Sequence, residues 1–113
     1  MERALIIQKP WVDLILDNIK IWEMRSTKTN VRGKIGLIEA GSGLIVGEAI
    51  LAGCGEPLDN FNIGHGHHLH KVDDFSLLEK WRYPWILSSA KRYEEPIPYQ
   101  HPRGAVIWVK LDS

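Results

Sequence analysis

Residues 10–25 read PWVDLILDNIKIWEMR, and the fold turns on how this stretch is divided. Pro10 fits the first turn of a helix, where its missing N–H leaves no intrahelical bond unmade. From Trp11 to Ile19 the polar Asp13 and Asp17 stand four apart, while Trp11, Val12, Leu14, Ile15, Leu16 and Ile19 occupy the other faces. That pattern predicts a mostly buried helix with one narrow solvated stripe. Asn18 is the expected exit, because asparagine tolerates the left-handed conformation that ends helices. Ile21 to Arg25 then alternates as a strand, with Glu23 and Arg25 set among Ile21, Trp22 and Met24. On a regular strand Glu23 and Arg25 share a face and Lys20 has the opposite parity. Lys20 joins them only if the backbone between Asn18 and Ile21 turns or bulges. Two arrangements are therefore open. Either the three charges surround one hollow, or Glu23 and Arg25 form a semi-buried ion pair and Lys20 is a solvated helix-end cation.

Upstream, Ala4 to Ile7 is a short apolar run that reads as a buried strand. Downstream, Ser26 to Asn30 is a polar loop, and Lys34 to Ala40 is a strand rich in branched residues. Gly41-Ser42-Gly43 turns the chain into a longer strand from Leu44 to Ala52, whose Gly47 marks a bulge or a close backbone approach. Gly53 to Val72 is expected to be an irregular excursion. Asp73 or Asp74 caps a short helix through Phe75, Leu78 and Trp81. Trp85-Ile86-Leu87 begins another strand, Glu94 to His101 suits an extended edge or loop, and Gly104 to Leu111 is the final strand, expected to pair near the first. Five or six strands with helices early and midway predict an α+β domain on a curved or closed sheet.

The 113 residues are enough for a single domain, spanning 1–113, with one core and no cross-links. Fourteen basic and fourteen acidic side chains cancel, so any nucleic-acid contact must come from a local patch and not from the global field. The sole cysteine, Cys54, excludes an internal disulfide and suits a reducing compartment, and its neighbours Ala52, Gly53 and Gly55 carry no charge that would activate it. The N-terminal apolar run is too short for a signal peptide, and no stretch reaches membrane-spanning length. A cytoplasmic protein without a membrane partner is expected.

Pro10-Trp11, Lys20-x-x-Glu23-x-Arg25, the polar loop and Arg32-Gly33 together resemble the signature of the ASCH domain, of the PUA-like superfamily. Asn18 stands where that family usually has glycine, and asparagine is the commonest substitute at a positive-φ site. Pro98 to Trp108 resembles the closing strand of bacterial members. The resemblance implies a small mixed β-barrel of five or six strands with two or three peripheral helices, and a cleft over the Lys-x-x-Glu-x-Arg segment. It implies binding of RNA, another single-stranded nucleic acid or a nucleotide there. It also implies two enzymatic alternatives: hydrolysis of the N4-acetylcytidine amide, or ribonuclease action. Lys20 falls at the amidohydrolase lysine. Glu23 replaces the amidohydrolase threonine and removes its hydroxyl, with Thr27 and Thr29, in the following loop, as candidate replacements. The remaining alternative is a structural or protein-interaction domain in which the triplet only braces the barrel.

Each residue type suits a task. Lys20 can partner a phosphate or carbonyl, or act as a base if desolvated, and Glu23 can accept from a nucleobase amino group or serve as a general base; these two are the catalytic candidates. Arg25 can clamp Glu23 or contact phosphate through its fork. Trp11 and Trp22 are candidates to line the cleft and stack on a base, whereas Trp85 and Trp108 are expected in the core. Ser26, Thr27 and Lys28 would form the rim, Arg32 is a binding candidate in the basic run with Lys28 and Lys34, and His101 and Arg103, before the closing strand, are further phosphate candidates. His65, His67, His68 and His70 lack a cysteine pair or helical spacing, so the cluster reads as a titrating surface loop, with no metal or other cofactor assigned.

Overall fold

The computed structural model describes residues 1–111. Six strands, β1 (Arg3–Ile7), β2 (Trp22–Arg25), β3 (Gly33–Glu39), β4 (Leu44–Cys54), β5 (Tyr83–Pro98) and β6 (Trp108–Lys110), form one curled sheet in the order β2-β5-β4-β3-β1-β6. Helix α1 (Trp11–Leu16) follows β1; α2 (Asn60–His65), α3 (His67–His70) and a 3-10 helix (Phe75–Glu79) lie between β4 and β5. This is the small mixed α+β half-barrel expected from the alternation of apolar strands with an early and a middle helix. The first and last strands pair antiparallel, Leu5 opposite Trp108 and Arg3 opposite Lys110. Only β1 and β3 run parallel, because the chain leaves β1 for α1 and β2 before returning. Among the described residues no helix is long and apolar enough to cross a membrane.

Helix α1 is shorter than its apolar run suggests. Val12, Ile15 and Leu16 are buried, whereas Ile19 lies beyond the helix and is exposed. Asn18 takes φ 59°, and the amides of Ile19 and Lys20 both turn back to the Leu14 carbonyl. Ile21 is then held from both sides: its N–H donates to Leu69 O and its carbonyl accepts from Leu87 N. The positive-φ exit expected of Asn18 is the device that rotates Lys20 out of strand parity.

Gly47 is where β4, β5 and α1 meet. A Cβ there would collide with the Lys91 carbonyl and the Leu16 side chain, and the β4–β5 register shifts beside it. The main core lies between sheet and α1, around Leu5, Ile7, Ile15, Leu37, Leu51 and Leu87. A second cluster, Met24, Leu58, Ile63, Val72 and Leu78, seats the α2–α3 excursion against β2.

Three expectations need correction. Gly53 to Val72 is not irregular throughout, because Asp59 caps α2 at Asn62 N and the chain continues into α3. The two extended segments after Tyr83 are one strand of 16 residues, kept in pairing by register shifts and by Ser89 at φ 53°. The final strand is only Trp108–Lys110, because Gly104, at φ 80°, lies in a turn.

The strand order leaves β2 and β6 as free edges. The curl of the sheet brings β2 round to face β1 and β6, and Arg25 spans the gap by donating from Nη2 to the Ile6 carbonyl at 2.7 Å. The barrel is thus closed there by a side chain and not by a ladder. That seam contains the candidate site.

Candidate functional site

Lys20, Glu23 and Arg25 converge on one cavity of about 190 Å³ in the seam. Lys20 is 1% exposed and its Nζ donates to the His70 carbonyl. Glu23 is buried too. One carboxylate oxygen, Oε2, accepts from Arg25 Nη2 at 2.9 Å and Nε at 3.2 Å. The other, Oε1, lies 3.8 Å from Lys20 Nζ, beyond hydrogen-bond length, and accepts from no other group among the described residues. Two cations around one carboxylate leave the site a positive charge whenever Lys20 is protonated. Burial lowers the Lys20 pKa to about 8, against the opposing pull of Glu23 and with a smaller lowering from Arg25. The arrangement of a solvated Lys20 beside a sealed ion pair is excluded by this geometry.

The walls are aromatic and apolar. Trp11, at the start of α1, meets Trp81 edge to face, centroids 5.8 Å apart at 84°, and both line the cavity. Gln8 and Val106 complete the rim from β1's end and the turn before β6. Val72 adds an apolar wall from the far side, held by His70: the Val72 N–H donates to His70 Nδ1 at 2.9 Å. Since Nδ1 accepts, Nε2 carries the proton and donates to the Ile63 carbonyl at 2.8 Å. His70 is therefore a buried bracket between α2, α3 and Lys20, and desolvation pushes its pKa down.

The remaining sequence candidates sit elsewhere. Trp22 packs on the second core cluster and against Gly66, away from the cavity lining. Ser26, Thr27 and Lys28 are exposed beyond β2; the Thr27 carbonyl accepts from Trp85 Nε1 at 2.8 Å. Arg32 donates to the carbonyls of Thr29 and Val31 and lines a separate hollow with Arg3. His101 is bonded to the Tyr99 hydroxyl and the Ala105 carbonyl, and with Arg103 it borders another hollow, so neither is brought to the cavity. Trp85 is core, as expected, and Trp108 is half-buried upon it, stacked at 5.8 Å and 17°. The histidines do not form a loop: they lie on α2 and α3, His70 is sealed, and among the described residues no group of three or more His, Cys, Asp or Glu could hold a metal. Sequence reasoning missed Gln8, Val72, Trp81 and Val106 as cavity residues. Trp81 had a signal, following a capped helix, but nothing local marked it as facing Trp11.

The ASCH domain family matches residues 5–97. The chain belongs to the ASCH domain family. Among solved structures it is similar to an ASCH protein from Zymomonas mobilis, at 12% identity and TM-score 0.74, covering 98% of this chain and 87% of that one. Two single-residue mutants of that protein, one serine-to-alanine and one tyrosine-to-phenylalanine, give TM-scores of 0.72 and 0.70 at 13% and 11% identity, covering 98% of this chain and 88% and 90% of theirs. At such identities the likeness is one of fold. No curated protein matches the chain.

Proposed function

We propose that this ASCH domain binds RNA by taking a single base into the seam cavity. The reading rests on one observation: Glu23 is clamped by Arg25 through one oxygen and presents the other to a hollow with tryptophan walls. A carboxylate oxygen held in this way accepts from a base's amino or ring N–H group. Lys20 supplies a donor beside it for an adjacent ring nitrogen or carbonyl, and Trp11 and Trp81 offer π-faces. The small volume suits the cavity to one base, and with no net charge on the chain any phosphate contact must come from a local patch.

Fluorescence titration of single-stranded RNA and of free nucleosides tests it. Glu23→Gln and Trp11→Leu should each weaken binding about tenfold or more, since a paired base edge and a stacked base are each worth roughly 1–3 kcal/mol. Unchanged affinity in both folded variants removes the cavity as the binding site.

The lowered Lys20 pKa, beside a carboxylate, supports a second reading as a hydrolase of an acylated nucleoside amide, with Lys20 as proton carrier. Turnover of N4-acetylcytidine by the wild type and its loss in Lys20→Met is the expected outcome. Equal turnover in the two, or none, sets this reading aside.

A further inference from the structure

The seam does not end at the cavity. Arg25, which lines the cavity, lies with its Cζ 5.6 Å over the ring of Trp85. Trp85 stacks on Trp108 from the opposite edge of the sheet at 5.8 Å, and Arg3 lies 5.9 Å over the outer partner of that pair, Trp108. The four side chains make a ladder, Arg25–Trp85–Trp108–Arg3, that follows the gap between β2–β5 and β1–β6. Its far end is basic. Arg3 faces Lys110 across the β1–β6 pairing, and the two border one hollow with Trp108. Arg3 and Arg32 border the next. On the other bank, the loop carrying Lys28 is tied to Trp85 through the Thr27 carbonyl.

Among the described residues the carboxylate bordering both hollows is that of Glu2. Arg3 meets Glu2 at 3.6 Å, both well exposed, and Lys34 is engaged by Glu48 at 3.2 Å. Among the described residues Lys28, Arg32 and Lys110 meet no carboxylate within salt-bridge distance. On a chain with no net charge, this makes a local cationic track at the far end of the ladder, whose near end, Arg25, lines the cavity and whose second rung, Trp85, is buried. Barrel closure needs no cations at its mouth, whereas a phosphate chain leaving the cavity would meet them in succession.

We propose that the lower seam, from Arg25 past Trp108 to Arg3 and Lys110, carries the sugar–phosphate chain of the nucleotides flanking the bound base, so that the partner is a single-stranded RNA segment and not a free nucleoside. This rests on the base-binding reading of the cavity.

The test compares a nucleoside with a single-stranded RNA of about eight nucleotides, each titrated against salt. The double variant Arg3→Gln/Lys110→Gln should weaken RNA binding about tenfold and lower the slope of log affinity against log salt by about 1.4, two contacts at roughly 0.7 each, while leaving nucleoside affinity unchanged. Arg3→Lys should restore much of the slope, because it keeps the charge. Lys80→Gln, off the track, should change nothing. If the wild type binds the RNA no more tightly than the nucleoside, or the double variant keeps the wild-type slope, the track is overturned and the cavity stands. If RNA affinity falls with the double variant but not with Glu23→Gln, the track stands and the cavity reading falls. Binding of neither ligand overturns both.

Discussion

Two arginines in this molecule each meet carboxylates at close range, and they differ in nearly everything else. Arg92 on β5 reaches Asp17 at 3.0 Å and Asp13 at 3.3 Å on the solvated stripe of α1, with all three side chains about half exposed. Arg25 meets Glu23 at 2.9 Å in the seam, with a buried lysine beside it and a backbone carbonyl as its second acceptor. In water the charges of the first cluster are screened and their ordering costs side-chain entropy. In the seam, none of the three charges can relax into solvent, so each depends on the others. One cluster decorates a packed interface; the other lines a cavity.

That contrast can be broken by removing one charge from each. Glu23→Ala leaves Lys20 and Arg25 buried without their counter-ion and should cost about 3–5 kcal/mol in urea unfolding, the largest effect expected. A loss under about 1 kcal/mol would mean that the seam behaves like surface. Next, Gly47→Ala should destabilise by about 1–3 kcal/mol or more, because the new methyl meets the Lys91 carbonyl backbone and Leu16 together. If α1 is held to β5 by packing and not by charge, this change must exceed anything done to Arg92.

The third prediction concerns pH. The folded Lys20 releases its proton near pH 8, whereas the unfolded side chain holds it to about 10.5. Between those values the unfolded state binds more protons, so stability rises with pH across the window. Lys20→Met lacks this rise. The gap between the two proteins should change by on the order of 2 kcal/mol from pH 8 to pH 10, read from urea midpoints. Tyr93, whose pKa is pushed up to about 12, acts in the opposite sense above pH 10, but it does so in both proteins and cancels in the comparison. A constant gap would show that Lys20 is not desolvated. Smallest of all, Arg92→Ala should cost under about 1 kcal/mol, and the loss should vanish in high salt.

Much of the architecture is legible in residues 10–25 and in the strand alternation around them. The helix, its exit at Asn18 and the need for Lys20 to leave strand parity are all local matters of backbone preference and side-chain period. The longest strand is hidden in the sequence because Pro96 and Pro98 look like breakers. They are tolerated at the strand's end, where Leu44 pairs with Pro98 and Ile45 with Ile97. The helices of the histidine segment are hidden because a run rich in glycine and histidine carries no helical period, and His70 is fixed by a carbonyl and an amide that only folding delivers.

By itself, then, the sequence determined the charged triplet, the turn that could gather it and the family to which the chain belongs. Only the tertiary structure decided that the triplet faces a cavity, because the cavity is a gap between the two edges of a sheet. Trp81, Val72, Val106 and Gln8 reach it from segments far apart in the chain. The curl of the sheet sets which of them meet, and no local propensity records that curl.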